Sequence, residues 1–93
     1  MSKKLINIGV IGVGHLGIHH AKHYSNIPAV NLVGVYDPNI KRNNYVAKKY
    51  KTSVYKDLIT LINNVDALSI VNPTPYHFET AKLCIQNKKH VFI

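Results

Sequence analysis

Leu5-Ile6-Asn7-Ile8-Gly9-Val10-Ile11-Gly12-Val13-Gly14-His15-Leu16-Gly17 is the stretch on which the fold of this chain turns. Leu5 to Ile11 is a short apolar run broken only by Asn7 and Gly9, the pattern of a central parallel strand covered on both faces. It runs straight into glycines. From Leu16 to about Asn26 the small and apolar positions Gly17, Ala21 and Tyr24, with His20 beside them, recur at helical spacing, and Pro28 supplies a stop. The stretch therefore reads as strand, tight turn, helix.

The same alternation continues outward. Val30 to Tyr36 is β-branched and apolar, and Asp37-Pro38-Asn39 supplies a turn and a helix N-cap. The spacing predicts a second helix over Ile40 to Tyr50, with Ile40, Asn43, Ala47 and Tyr50 on one face and the lysines on the other. Thr52 to Tyr55 is a short strand, Asp57 caps a brief helix carrying Leu58, Leu61 and Ile62, and Ala67 to Val71 is a buried strand ended by Pro73 and Pro75. A last helix over Tyr76 to Gln86 turns Ala81, Cys84 and Ile85 inward, and His90 to Ile93 begins a fifth strand. Strands alternating with helices imply right-handed crossovers and a doubly wound, Rossmann-like parallel α/β sheet in order 3-2-1-4-5, truncated in strand 5, with residues 1–93 as one domain. Ligands bind such sheets where the winding reverses, at the carboxyl ends of strands one and four. The loops meeting there are Gly12 to Gly17 and Asn72 to His77.

Composition bounds what this domain can be. With 93 residues, 46% hydrophobic and 17% charged, the chain suits one globular core rather than a disordered segment. Its apolar runs are far shorter than the ~20 residues a membrane span needs, and no signal peptide is read at the start. Cys84 is the only cysteine, so neither an intrachain disulfide nor a multi-cysteine metal site is expected, and the reading is cytoplasmic, with Cys84 a buried inert thiol. The formal charge of +8 raises the question of nucleic acid. Lys41, Arg42, Lys48, Lys49, Lys51 and Lys56, however, are interleaved as on a solvated helix face, and nucleic acid is not the expected partner. His15, His19 and His23 lie four apart without a carboxylate or cysteine to join them, so no metal site is expected.

Gly12-Val13-Gly14-His15-Leu16-Gly17 matches GxGxxG, a weak pattern alone. Here it follows a strand, opens a helix and is answered by Asp37, twenty positions beyond Gly17, at the end of the next strand. Gly12 permits the tight turn, Gly14 lets the backbone approach a pyrophosphate, and Gly17 lets the helix pack closely on the strand. The amides near His15 and Leu16 face the phosphates with the positive end of the helix dipole. Asp37 is expected to accept hydrogen bonds from the adenosine ribose, which favours NAD. Lys41 and Arg42 are within reach of a ribose 2′-phosphate, which keeps NADP open.

Taken with Val35-Tyr36-Asp37-Pro38, Asp66-Ala67-Leu68-Ser69-Ile70 and Asn72-Pro73-Thr74-Pro75-Tyr76-His77, the glycine stretch resembles the glucose-fructose oxidoreductase, inositol dehydrogenase and MocA family over nearly the whole chain. The resemblance implies that Asn72, Pro73, Thr74 and His77 lie along the nicotinamide end of the cofactor, with His77 beside the nicotinamide ribose. It also implies a Glu-Lys-Pro segment after the fifth strand and a larger α/β domain that supplies substrate contacts and a catalytic histidine. These 93 residues are thus expected to be a cofactor cradle, inactive alone, whose partner is that domain or another subunit. Gly12 to Ala21 looks closest to members that oxidise nucleotide sugars, so the expected substrate is a sugar, nucleotide sugar or cyclic polyol. The competing expectation is a non-catalytic module that senses NAD or binds nucleic acid.

Overall fold

The computed structural model describes residues 5–71 and 77–92, with the side chains of residues 15, 16 and 77 outside that description. The elements alternate as β1 (Ile6–Ile11), α1 (His15–Ser25), β2 (Val30–Tyr36), α2 (Ile40–Lys49), β3 (Ser53–Val54), α3 (Leu58–Asn63), β4 (Ala67–Ile70), α4 (His77–Gln86) and β5 (His90–Phe92). They form one parallel sheet in order β3-β2-β1-β4-β5, the order expected from the sequence. β1 lies between β2 and β4 because its alternate side chains both find a core. Val10 packs with Val13, Ala21, Val35 and Val46 under α1 and α2, whereas Ile11 packs with Leu61, Ile62, Leu68 and Cys84 under α3 and α4. Each Val, Leu or Ile among them contributes about 1.5–3 kcal/mol when fully buried.

Helix starts follow the capping residues. Asn39 Oδ1 accepts from Arg42 N at 3.0 Å and begins α2. Asp57 Oδ2 accepts both Thr60 N at 3.1 Å and Thr60 Oγ1 at 2.7 Å and begins α3. The bond to the Thr60 hydroxyl, seconded by its amide, holds the Asp57 carboxyl below the ordinary carboxylate range.

The structure corrects two expected helix faces. Ile40, expected inward, is 68% exposed, and α2 instead buries Asn43, Val46 and Ala47. Ile40 lies in the first turn of α2, where it borders the open cavity at the carboxyl ends of β2 and β3 with Tyr36, Val54 and Tyr55. Ile85 is likewise 63% exposed. The inward stripe of α4 follows Thr80, Leu83 and Cys84, and that i, i+3, i+4 pattern leaves the next position outside. Burial pushes the Cys84 thiol up in pKa. The third strand is also shorter than the sequence suggests, two residues, although Thr52 Oγ1 bonds Leu32 O at 2.8 Å and Tyr55 N bonds Val35 O at 2.9 Å on either side of it. Among the described residues, no helix is long and apolar enough to cross a membrane.

Candidate functional site

Of the candidate site residues, Gly12, Gly14, Gly17 and Asp37 gather at the carboxyl end of β1. The sheet pairing runs past that end: Gly12 N donates to Tyr36 O at 2.7 Å, and Gly12 then takes φ 92°, a left-handed value that turns the chain sharply. Val13 N, next in line, donates to Asp37 Oδ2 at 2.9 Å. The acid at the end of β2 thus holds the turn after β1 in place. Asp37 Oδ1 accepts Asn39 N at 2.8 Å, and the buried Asn43 donates its Nδ2 to Asp37 O.

Gly14 is the N-cap of α1, with extended backbone and no side-chain hydrogen bond to the helix amides, and no acidic residue lies in the first turn. The backbones of His15 and Leu16 form that turn. At Gly17 a Cβ would fall 1.8 Å from Gly12 O, so the helix is packed on the turn as closely as the backbone allows. At Gly14 a Cβ would meet, among the described residues, only Arg42 Nη1, at 3.5 Å. As far as those residues go, the space over Gly14 is open, faces the positive end of α1 and is bordered by a guanidinium. Beside it, at the carboxyl ends of β2 and β3, a cavity of about 390 Å³ is lined by Tyr36, Asp37, Ile40, Asn43 and Tyr55 among others.

These features fit an anionic dinucleotide. The uncapped amides and the glycine without a side chain suit a pyrophosphate, the carboxylate at the edge has lone pairs left for hydroxyl donors, and the neighbouring cavity lies within the size range of small-ligand pockets. Across the switch point, Val71 N donates to Ile11 O at 2.8 Å, which brings the end of β4 level with the glycine turn. Asn72, Pro73 and Thr74 lie outside the described residues. His77 opens α4, and its side chain is outside the description.

Three contributors take roles that the sequence did not assign. Arg42, expected only as a candidate partner of a 2′-phosphate, reaches the glycine turn from α2, and Asn43 fastens α2 to the backbone of Asp37. Ser69, 1% exposed in β4, meets His20 Nδ1 at 2.9 Å and so ties the middle of α1 to β4. The last two carried a legible signal, a polar residue on an otherwise apolar face or strand, which demands a hydrogen-bond partner. The reach of Arg42 to the glycine turn depends on how α2 packs on β2 and β3, which no local pattern records.

Comparison with known proteins places this geometry. The profile of the GFO_IDH_MocA family, described as "Oxidoreductase family, NAD-binding Rossmann fold", matches residues 6–93. A UDP-N-acetylglucosamine 3-dehydrogenase of Acidithiobacillus ferrooxidans is 42% identical over 85 residues, which are 91% of this chain and 26% of that protein. An inositol 2-dehydrogenase of Rubrobacter xylanophilus is 34% identical, over 92% of this chain and 26% of its own length. The chain thus spans about a quarter of the length of these curated relatives. A solved structure of the Acidithiobacillus enzyme superposes with TM-score 0.89 at 40% identity, covering 94% of this chain and 28% of that one. The scyllo-inositol dehydrogenase of Lactobacillus casei, solved with bound NAD(H) and scyllo-inositol, superposes with TM-score 0.87 at 26% identity, covering 95% of this chain and 27% of that one.

Proposed function

The chain belongs to the GFO_IDH_MocA oxidoreductase family, of which residues 6–93 are the NAD-binding Rossmann domain, and from that premise we propose that it holds NAD for hydride exchange with a sugar, nucleotide sugar or cyclic polyol. The observation that carries the reading is the space over Gly14 that the described residues leave open, at a helix N-terminus whose N-cap has no side chain and beside the Asp37 carboxylate. When bound, the nicotinamide ring takes up or releases the hydride. The residues of this chain bind and orient. The turn amides of α1 and the bare Gly14 backbone seat the pyrophosphate, Gly12 and Gly17 shape the turn, and His15 and Leu16 contribute backbone rather than side chains.

Asp37 accepts the adenosine ribose hydroxyls with the lone pairs that Val13 N and Asn39 N leave free, and its charge disfavours a 2′-phosphate, so NAD is preferred over NADP. Asn72, Pro73, Thr74 and His77 line the nicotinamide end, as the family resemblance implies and as the approach of Val71 to Ile11 supports. The relatives are about four times as long as the matched segment. Accordingly, we assign substrate contacts and proton transfer to a second domain of a longer protein, with residues 1–93 forming its dinucleotide-binding domain. The substrate class is carried by the activities of the relatives, a nucleotide-sugar and an inositol dehydrogenase.

The test is NADH and NADPH titration of the folded chain, followed by fluorescence or calorimetry. Saturable binding with NADH the tighter is expected; no binding of either by folded protein at millimolar cofactor would sink the proposal.

A further inference from the structure

We propose that Arg42 is a phosphate-holding residue of this site, its guanidinium closing over the cofactor pyrophosphate from the α2 side. The inference rests on the reading of the glycine turn as a dinucleotide cradle and goes beyond it by adding a side chain to a phosphate seat otherwise built from backbone.

Position is the first ground. Among the described residues beyond its chain neighbours, Arg42 Nη1 is the atom that comes within 4 Å of the point where a Gly14 Cβ would stand, at 3.5 Å, so the guanidinium borders the space through which the pyrophosphate passes. That placement is held from below. Asp37 Oδ1 accepts Asn39 N at 2.8 Å, and Asn39 Oδ1 accepts Arg42 N at 3.0 Å. The acid that fixes the turn through Val13 N therefore also fixes the start of the helix that carries Arg42.

Charge is the second ground. Two positive features converge on the turn, the N-terminus of α1, with no acidic residue in its first turn, and Arg42. Among the described residues the guanidinium has no hydrogen bond or ion pair of its own. The nearby acid, Asp37, has each carboxylate oxygen bonded to a backbone amide. A cation set beside a helix N-terminus is a repulsive arrangement, and an anion between the two relieves it. A planar guanidinium with several donors matches phosphate oxygens better than an ammonium does.

The pyrophosphate and a ribose 2′-phosphate offer the same chemistry, and position separates them. Arg42 lies over Gly14, on the path of the pyrophosphate, whereas the 2′ oxygen belongs beside the Asp37 carboxylate, which repels a phosphate.

The test titrates the chain and its Arg42→Gln and Arg42→Lys variants with NADH, NADPH, ADP-ribose and adenosine, with circular dichroism as the check of folding. Expected for Arg42→Gln is a common loss of about tenfold for the three pyrophosphate ligands, the size of a charge-assisted hydrogen bond at an exposed site. Adenosine should be unaffected, and the loss should shrink as salt screens the charge. Arg42→Lys should lie between wild type and Arg42→Gln, because it keeps the charge and loses the fork. A loss confined to NADPH would overturn the proposal in favour of a 2′-phosphate contact, and unchanged affinities would overturn it outright. Failure of the folded wild-type chain to bind NADH and ADP-ribose would sink the cradle reading itself, and this proposal with it.

Discussion

Two aspartates at opposite ends of the sheet make the same hydrogen bond. At the amino ends of the strands, Asp66 Oδ2 accepts Asn7 N at 2.9 Å; at the carboxyl ends, Asp37 Oδ2 accepts Val13 N at 2.9 Å. Their surroundings differ completely. Around Asp66 lie Leu5, Ile6, Ala67 and Phe92, and the helix ends nearest that side of the sheet are C-termini, with Lys22 and His23 in the last turn of α1 and Lys48 and Lys49 in that of α2. Around Asp37 lie a left-handed glycine, the uncapped start of α1 and the capped start of α2. In a parallel sheet with helical crossovers every strand feeds a helix N-terminus at its carboxyl end, so the open amides and positive dipole ends collect on one side. One carboxylate is therefore a structural tether, while the other is a tether standing in the candidate site. The lysines near the helix C-termini complement the dipoles there and account for part of the basic balance without a nucleic-acid partner.

The sharpest way to break the carboxyl end is Gly17→Ala. Alanine gains about 1 kcal/mol of helix propensity over glycine, but its Cβ would fall 1.8 Å from Gly12 O, a backbone atom that cannot yield without opening the turn. A net loss of about 3 kcal/mol or more is expected, read as a large drop in Tm; an unchanged Tm would show that the turn is not packed as described. Gly14→Val is the complementary experiment. Its backbone is extended and, among the described residues, only Arg42 Nη1 is near, so melting should change little. NADH binding should weaken by about 100-fold or more, because the side chain fills the ligand's space. Retained affinity in the folded variant would mean that the phosphates do not cross this turn.

The aspartate pair tests the comparison directly. Asp37→Ser should weaken NADH by about 10- to 100-fold, the range of a hydrogen bond to a charged group at ~1.5–3 kcal/mol, and move the preference toward NADPH. Asp66→Ser should cost about 1 kcal/mol of stability and leave both affinities untouched. Equal effects of the two substitutions on binding would remove the distinction between the ends of the sheet.

Asp57 should show the smallest effect, and only in acid. Its native pKa lies below the ordinary 3.8. The contribution of this cap is therefore fully present above that value and is lost as pH falls from it through the native pKa. Asp57→Asn should flatten acid unfolding in that window and leave neutral-pH melting nearly unchanged; identical acid profiles would show that the bond to Thr60 contributes nothing.

Much of this was legible before folding. The run Ile6 to Ile11, the glycine turn and Asp37 were readable because a buried parallel strand, a tight βα turn and a strand-end acid each impose residue types within a few positions. The caps Asn39 and Asp57 were readable for the same reason. The exposure of Ile40 and Ile85 was not, since helical periodicity gives a stripe but not its exact azimuth over the sheet. Nor was the His20–Ser69 contact, forty-nine residues apart in sequence.

The sequence by itself determined the order of elements, the parallel sheet and the glycine turn with its answering acid, because these follow from local sterics, capping and crossover handedness. Only the tertiary structure decided that the Asp37 carboxylate is bonded to two amides while still bordering the site, that Arg42 stands over Gly14, and that Ser69 and Asn43 are fastening points. Those facts depend on how α1 and α2 pack across β1 and β2, and that packing is fixed by the shared core of Val10, Val35 and Val46, not by any one stretch of chain.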